Sequence, residues 1–502
     1  MMPHRPRILG IAASLRNARW GCGGHELVQD LARCADKDAL LAYLKRQSEL
    51  HLENFLQAGR AQGLAFNAIA ANLQKNSGTA GLSNSEVALA SALWSAQRLG
   101  ADVDHVSLAE YFSPMGGVRD GDALRQNLLS ADGIVISGPV YFGDRGSLAE
   151  SLIDFIARDE HLRHALSGRL YGGIAVGAKR NGGQETTLIY QMLDMLNLGF
   201  LAVGNDSETT AQYGGTGHAG DVGTMHRDTY GIDTSMGLGR RMAQVLTTLC
   251  NDSKMIGGPR VLFAVLQDDI DGLALRETEA LVARLGNQVE ASVVDISAST
   301  IHRCIACDIC PTHVGLDSEY RCIITSATDA MSDLHALLLD HDMIVPVLAT
   351  SRKRERIVSA YQTFIERTRY LRRSDYVWSD LLVAPLILQE SGTMDSAPIR
   401  VMTSFIRHHT VMTRPVLGVY ANGIVLNRQD VDGDIRSAIG SAARLTAGRL
   451  QQNRLPAYRY HPVGYMLSSE KDAEDEKLKR REALITQRRA NLAAQAAKRL
   501  AQ

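Results

Sequence analysis

The stretch that decides the fold is GIVISGPVYFGDRGSLAESLIDFIAR, residues 133–158. It opens with a run of apolar and small residues, continues through a turn that contains proline and glycine, and then places apolar residues at helical spacing. A short, wholly apolar run that is followed by a helical segment is typical of a buried parallel strand. The stretch therefore predicts one strand–turn–helix unit of an α/β fold.

Runs of the same kind recur along the whole chain. In the first half they lie at 8–13, 103–108, 133–138, 173–177 and 199–204. In the second half they lie at 261–266, 293–296, 343–348, 381–388 and 416–421. Five strands in each half, separated by helical segments, predict two doubly wound five-stranded parallel sheets in tandem.

Breaks in this pattern predict the domain boundaries. Glycines and a proline in 251–259 predict a linker, so that a first domain spans 1–250 and a second spans 259–452. Residues 24–80 carry helix-period stretches between the first strand and its helix, and they predict a helical insertion. The Ala-rich, mixed-charge residues 453–502 predict a helical tail that is either solvated or binds a partner.

Composition limits the classes of partner. The 502 residues include 54 Lys and Arg against 55 Asp and Glu, so neither a nucleic acid nor an anionic membrane has global electrostatic support as a partner. No apolar stretch approaches the about 18 residues of a membrane span, and the first apolar run is too short for a secretory signal. We therefore expect a cytoplasmic protein.

Polar residues follow the first predicted strand, and they include Ser14, Arg16 and Asn17. A hydroxyl, a guanidinium and backbone N–H groups at the start of a helix can bind a phosphate. By itself this loop is equally compatible with a plain strand–loop junction. The loops at 139–143 and 179–186 also follow predicted strands, and all three loops would lie at the same edge of the sheet.

Together with the first loop, SGPVYFGDRGSLAESLIDFIAR (137–158) and GGIAVGAKRNGGQETTLIYQML (172–193) resemble the NAD(P)H-dependent FMN reductase family. These are flavodoxin-like enzymes that reduce quinones, flavins and azo dyes, and the resemblance covers roughly 7–249. It implies FMN as the cofactor and NAD(P)H as the electron donor. It also implies phosphate ligands, which would be Ser14, Arg16, Asn17 and Ser85. The insertion separates Ser85 from the other three ligands, whereas family members hold them close in sequence.

The resemblance further implies contacts with the flavin ring. These would come from Pro139, Val140, Tyr141, Phe142 and Gly143, and a loop near the pyrimidine side would be formed by Gly182, Gly183 and Gln184. A proline–aromatic turn gives a rigid platform for a planar ring, and glycines let the backbone approach closely. The alternative for both aromatic residues is a place in the core.

A glycine-rich stretch at 204–239 has no strand character, and its length predicts a functional loop. His218 or His226 within it could serve as an acid near the flavin, or could simply be solvated. No catalytic triad, zinc-protease motif or Walker motif is present, so no catalytic side chain is assigned.

Four of the seven cysteines form a C-x2-C-x2-C-x11-C pattern, and they are Cys304, Cys307, Cys310 and Cys322. Four thiolates can bind an iron–sulfur cluster or a zinc ion. A redox dithiol and a metal-free loop are the alternatives. The segment is similar to that of iron–sulfur flavoproteins, and this resemblance implies a [4Fe–4S] cluster.

The second domain has lost the features of a flavin site. Three carboxylates, Asp268, Asp269 and Asp271, follow its first strand and would repel a phosphate, and the loop after its third strand lacks aromatic residues. We predict that the second domain is a degenerate copy of the first. It would take the place of the partner subunit of a dimer and cover the FMN site, so that the chain is a pseudo-dimer. A homo-oligomer is the other expectation.

The predicted function is an FMN-dependent oxidoreductase that transfers electrons from NAD(P)H to a quinone, a flavin or a specialised small acceptor. The first alternative is an FMN and iron–sulfur electron-transfer protein that serves a redox partner. The second is a non-catalytic scaffold.

Overall fold

A computed structural model describes the chain at 5–15, 24–60, 62–75, 81–209, 211–251, 254–266, 272–307, 310, 320, 322–351, 357–373, 376–452 and scattered positions between 483 and 500. The chain divides into two compact units, Met1–Cys250 and Asn251–Gln502. The predicted ligands Arg16 and Asn17 and the carboxylates at 268–271 lie outside the described residues.

The first unit is built on a parallel sheet. Its strands are β1 (Arg7–Ala12), β2 (Asp102–Ser107), β3 (Gly133–Tyr141), β4 (Asp144–Arg145), β5 (Leu170–Gly177), β6 (Leu201–Ala202) and β7 (Gly215–His218). β2, β1, β3 and β5 are parallel neighbours in that order, and β6 and β7 pair with the two ends of β5. This is the 2-1-3-4-5 strand order of a flavodoxin-like fold, with its fifth strand in two pieces. The predicted α/β class is confirmed.

Helices cover both faces of this sheet. They are α1 (Gly24–Arg33), α2 (Lys37–Phe55), α3 (Phe66–Lys75), α4 (Asn84–Arg98), α5 (Leu108–Tyr111), α6 (Gly121–Leu129), α7 (Ser147–Arg158), α8 (Glu160–Leu166), α9 (Gln184–Asn197) and α10 (Thr229–Leu249), with a π-turn at Leu56–Arg60 and a 3-10 turn at Met225–Arg227. Adjacent residues of a strand point to opposite faces. A Cβ atom added at Gly172 would lie 2.9 Å from Leu238 of α10, and one added at Gly173 would lie 2.9 Å from Leu188 of α9. Therefore α9 and α10 lie on opposite faces.

Three helices, α1 to α3, occupy the predicted insertion, and α1 and α2 pack on α4. The indole N–H of Trp94 donates to the carbonyl of Cys34 at 2.9 Å, and the backbone N–H of Leu82 donates to the carbonyl of Gln47 at 3.1 Å. The buried face of α2 is formed by Leu40, Tyr43, Leu44, Gln47, Ser48, His51 and Phe55. The insertion is thus part of the packed unit.

The prediction that 204–239 lacks strand character is wrong, since β7 and the first half of α10 lie there. The strand is Gly-Thr-Gly-His, which has little intrinsic strand propensity. Its glycines are held by close packing, because a Cβ atom at Gly215 would lie 3.0 Å from Ile174 and one at Gly217 would lie 2.9 Å from Met225. Pairing with β5, and not local preference, makes this segment a strand.

The second unit also contains a largely parallel sheet. Its strands are β8 (Arg260–Leu266), β9 (Glu290–Asp295), β10 (Met343–Thr350), β11 (Leu382–Val383), β12 (Leu386–Glu390), β13 (Val411–Met412), β14 (Val416–Ala421) and β15 (Ile424–Val425). β9, β8 and β10 are parallel neighbours, and β11 and β12 follow on the other side of β10. β13 pairs with β11, and β14 pairs with β12. Pro385 and Pro415 stand between the pieces, where a residue without an N–H interrupts the ladder.

The helices of the second unit are α11 (Leu273–Leu285), α12 (Met331–Leu339), α13 (Ile357–Arg367), α14 (Arg369–Arg373), α15 (Ala397–Phe405) and α16 (Arg428–Gln452), with 3-10 turns at Gly286–Gln288 and Ile406–His408. Of the predicted tail, the structure describes only scattered positions, where Leu500 bridges to Met255 and Arg499 donates to Asp342 at 3.0 Å. Among the described helices, none combines the length and apolar character needed to cross a membrane.

Candidate functional site

The end of β1 and the start of α4 are joined through one side chain of β3. The N–H of Ala13 donates to the carbonyl of Ser137 at 2.8 Å, and the hydroxyl of Ser137 donates to the carbonyl of Ser85 at 2.7 Å. Ser14 and Ser85 are both buried. The insertion therefore separates Ser14 from Ser85 in sequence, while the fold brings β1 and the first turn of α4 together at the carboxyl edge of the sheet.

The first turn of α4 is fixed by a capping box. The hydroxyl of Ser83 accepts from the N–H of Glu86, and the Glu86 carboxylate accepts from the N–H of Ser83 at 3.0 Å. The other Glu86 oxygen lies 3.4 Å from Nε2 of His105 on β2, and both side chains are buried. The N-terminal end of a helix attracts anions, so a rigid first turn at this edge suits a phosphate.

Asn84 is a residue that the sequence-based prediction missed. Its amide N–H donates to the carbonyl of Asp221 at 2.8 Å, and its amide oxygen accepts from the N–H groups of Thr224 and Met225 at 3.1 Å each. It thus ties the loop after β7 to the start of α4. The capping-box pattern from Ser83 to Glu86 was the signal in the sequence that marks this turn.

The predicted ring-binding residues form a tight hairpin. β3 and β4 are antiparallel and are joined by Phe142 and Gly143, whose φ angles are 54° and 79°. Two positive φ angles are typical of the type I′ turn that hairpins prefer. Tyr141 is 55% exposed and Phe142 is fully exposed. The alternative that these aromatic residues belong to the core is therefore wrong.

The loop after β5 packs directly against this hairpin. Gly183 has a φ of 102°, and a Cβ atom there would lie 2.7 Å from the Cα of Gly143 and 3.3 Å from Cγ1 of Val140. The buried Gln184 side chain donates to the carbonyls of Lys179 and Gly217 and accepts from the N–H of Gly182 at 2.7 Å. The amide of Gln184 therefore organises the loop, and Gly182 and Gly183 form the part that borders the hairpin.

The two histidines of the glycine-rich stretch differ in surroundings. The N–H of His218 donates to the Asp228 carboxylate at 2.7 Å, and Asp228 also pairs with Arg180. Partial burial lowers the pKa of His226, and the neighbouring Arg227 lowers it further. A role for either histidine as an acid near the flavin stays a prediction.

In the second unit, the four clustered cysteines line one small cavity of about 20 Å³. All four are free thiols. Burial raises the pKa of the Cys310 thiol, Arg373 opposes this rise, and Cys307 and Cys322 add to it. Within the described part of the chain, however, no group of three or more His, Cys, Asp or Glu side chains is arranged to hold a metal ion. The four thiols are thus suitable ligands for a metal ion or a cluster, whereas their arrangement in this structure does not form a metal site.

A buried ion pair anchors the segment that carries these cysteines. Arg367 pairs with Asp329 at 2.8 Å, and each side chain is 1% exposed. Arg367 also donates to the carbonyl of His302 at 2.8 Å and contacts the hydroxyl of Tyr320. One guanidinium therefore holds both the upstream and the downstream end of the cysteine segment.

The match to a known family falls within the first unit. Residues 64–211 match the family described as NADPH-dependent FMN reductase, a range that contains the α4 start, the hairpin and the Gly182–Gly183 loop. An iron–sulfur flavoprotein of Methanocaldococcus jannaschii is 36% identical over 129 residues, which are 26% of this chain and 66% of that protein. An iron–sulfur flavoprotein of Methanosarcina thermophila is 28% identical over 130 residues, 25% of this chain and 62% of that protein.

A NAD(P)H dehydrogenase (quinone) of Caulobacter vibrioides is 29% identical over 135 residues, 25% of this chain and 67% of that protein. Among solved structures, a flavodoxin, WrbA-like protein from Agrobacterium tumefaciens is 19% identical, covers 32% of this chain and 87% of its own, and has a TM-score of 0.24. The chain spans slightly less than two thirds of the two iron–sulfur flavoproteins. Strand order, loop geometry and the family match together support a flavin oxidoreductase in general.

Proposed function

We propose that the chain is an FMN-dependent oxidoreductase that takes electrons from NAD(P)H and passes them to a quinone, a flavin or another small acceptor. The observation that carries this proposal is the convergence of three loops at one sheet edge. Ser137 links the end of β1 to the start of α4, and Gly183 packs against Gly143. Ligands of open α/β sheets bind at this edge.

The residues present fit FMN. Ser14 and Ser85 lie beside a fixed helix start that suits the phosphate, and the exposed rings of Tyr141 and Phe142 offer apolar surface to the flavin. The ring of Phe142 is fully exposed, and a bound planar group would cover it. When bound, FMN would accept a hydride and pass on one or two electrons. The chain contributes binding, orientation and exclusion of water.

A substitution in the hairpin tests this proposal. Phe142→Ala removes the exposed ring, and aromatic contacts contribute about 0.5–1.5 kcal/mol, so the FMN Kd should rise about 2- to 12-fold. Leu99→Ala is the control, because Leu99 is also an exposed apolar side chain, at 45%, and lies just before β2, at the opposite edge of the sheet. Flavin fluorescence titration measures both constants. Equal FMN affinity of the two variants and the parent protein would refute ring binding at the hairpin.

We further propose that the second unit is a second flavodoxin-like fold without FMN of its own. Its strand sequence of β9, β8, β10, β12 and β14 supports this fold. β10 ends with Ala349 and Thr350, and neither offers an aromatic ring like that of Phe142. One FMN per chain in a stoichiometric titration is the expected result, and two tight sites would contradict it. The predicted role as a stand-in for a partner subunit, and the expected homo-oligomer, stay predictions.

A second candidate function rests on the cysteines. Cys304, Cys307, Cys310 and Cys322 line one cavity, and they would be the ligands if the chain held a [4Fe–4S] cluster and served a redox protein. Analysis of anaerobically purified protein for flavin, iron, sulfide and zinc separates the candidates. A yellow protein with only flavin bands supports the reductase, and a brown one with iron and sulfide supports the relay. Zinc indicates a structural site, and a protein that stays colourless after reconstitution indicates the scaffold.

A further inference from the structure

A buried hydroxyl at the end of β2 lacks a hydrogen bond. Ser107 is 1% exposed, and its Oγ finds no partner among the described residues. Ser107 occupies the N-cap position of α5, yet its side chain makes no capping hydrogen bond. An unsatisfied buried hydroxyl is costly, and most such groups in folded proteins have partners. A ligand that accepts from this hydroxyl would remove the cost.

The sheet register shows which way Ser107 points. Ser107 pairs with Ala12 of β1, and Ala12 pairs with Ser137 of β3, so the three residues form one row across the sheet. Side chains of one row lie on the same face of a sheet. The hydroxyl of Ser137 reaches the carbonyl of Ser85, so this row faces the first turn of α4. The small side chain of Ala12 separates the two serines.

A second contact on β2 supports this direction. His105 precedes Ser107 by two residues, so both side chains lie on the same face of the strand. Nε2 of His105 lies 3.4 Å from the Glu86 carboxylate in the first turn of α4. Ser107 therefore lies two residues closer than His105 to the carboxyl edge of the sheet, and His105 already contacts the first turn of α4.

The surroundings also allow an anion. The Glu86 carboxylate would repel a phosphate. One of its oxygens accepts from the N–H of Ser83, and the other faces His105. The remaining features of this turn, the helix N-terminus and the serine hydroxyls, favour negative charge.

The geometry points to Ser107 as a further ligand of the FMN phosphate, to which its hydroxyl donates a hydrogen bond. This inference rests on the proposed function and extends the phosphate site from the loop after β1 to the end of β2.

Ser107→Ala tests the inference through two ligands that differ only in the phosphate. A hydrogen bond to a charged group predicts an FMN Kd that rises about 10-fold or more, whereas the riboflavin Kd stays within about twofold. In the flavin-free protein the same variant should unfold at the same or a higher urea concentration, because it loses no hydrogen bond. A purely structural role would weaken both flavins equally and lower the stability.

Ser91→Ala is the matched control. Ser91 is also fully buried, but its hydroxyl donates to the carbonyl of Val87 at 2.9 Å inside α4. This variant should lose stability and keep the parent ratio of FMN to riboflavin affinity. If the parent protein binds FMN and Ser107→Ala keeps that ratio, the inference is wrong while the proposed function stands. If the parent protein binds neither flavin, both are wrong.

Discussion

Replacement of Gly183 by alanine is the most direct test of the contact between the hairpin and the loop after β5. A left-handed conformation costs a non-glycine residue about 1–2 kcal/mol, and Gly183 has a φ of 102°. The added Cβ atom would also lie 2.7 Å from the Cα of Gly143, a backbone atom that cannot rotate away. Overpacking adds about 1–3 kcal/mol. The unfolding free energy of the first unit should therefore fall by about 2–5 kcal/mol.

Gly143→Ala separates the two contributions. Gly143 has a similar φ of 79°, but no described atom lies within 4 Å of its added Cβ, so only the conformational cost of about 1–2 kcal/mol applies. Urea denaturation can be monitored by hydrogen exchange in peptides from β5 and α9, and this measurement reports on the first unit alone. FMN titration of both variants shows whether the distorted loop also lowers affinity. Equal losses of stability in the two variants would refute the close contact.

Two further predictions concern the second unit. Arg367→Met leaves the carboxylate of Asp329 buried without its cation, so the unfolding free energy should fall by about 3–5 kcal/mol. Adding Asp329→Asn to this variant should restore part of the lost stability, and no recovery in urea denaturation would contradict this account. Burial lowers the pKa of His408 to about 3, with Arg372 adding to the effect, whereas an unfolded histidine titrates near about 6.5. As the pH falls, His408 is therefore protonated in the unfolded state before it is protonated in the folded state. The unfolding free energy is highest above about pH 6.5 and falls between about pH 6.5 and about pH 3, by at most about 1.4 kcal/mol per pH unit. His408→Gln should flatten this dependence between about pH 7 and about pH 5, and an unchanged slope would disprove it.

The strands of the first unit show how much local sequence reveals. The apolar runs at 8–13 and 133–138 predict β1 and β3 closely, because a buried parallel strand is apolar on both faces. The stretch at 103–108 also predicts β2, an edge strand that carries Asp104 and His105. β7 escaped prediction, since a strand made of glycine, threonine and histidine carries no apolar run. Only its pairing with β5 defines it.

The candidate site divides in the same way. The loops that carry Ser14, Tyr141 and Gly183 could be located from sequence, because each follows an apolar strand and parallel strands end at one edge. The exposure of Phe142 and the contact between Gly183 and Gly143 could not, because both depend on how two loops pack.

The amino-acid sequence by itself determined the α/β class, the alternation of strands and helices, and which loops follow strands at the same edge of the sheet, since apolar periodicity and turn residues act locally. The tertiary structure decided that Ser107, Ala12 and Ser137 form one row and that Ser85 joins them across the insertion. The reason is physical: register between strands distant in sequence arises from the packing of the whole sheet, and no short stretch of residues encodes it.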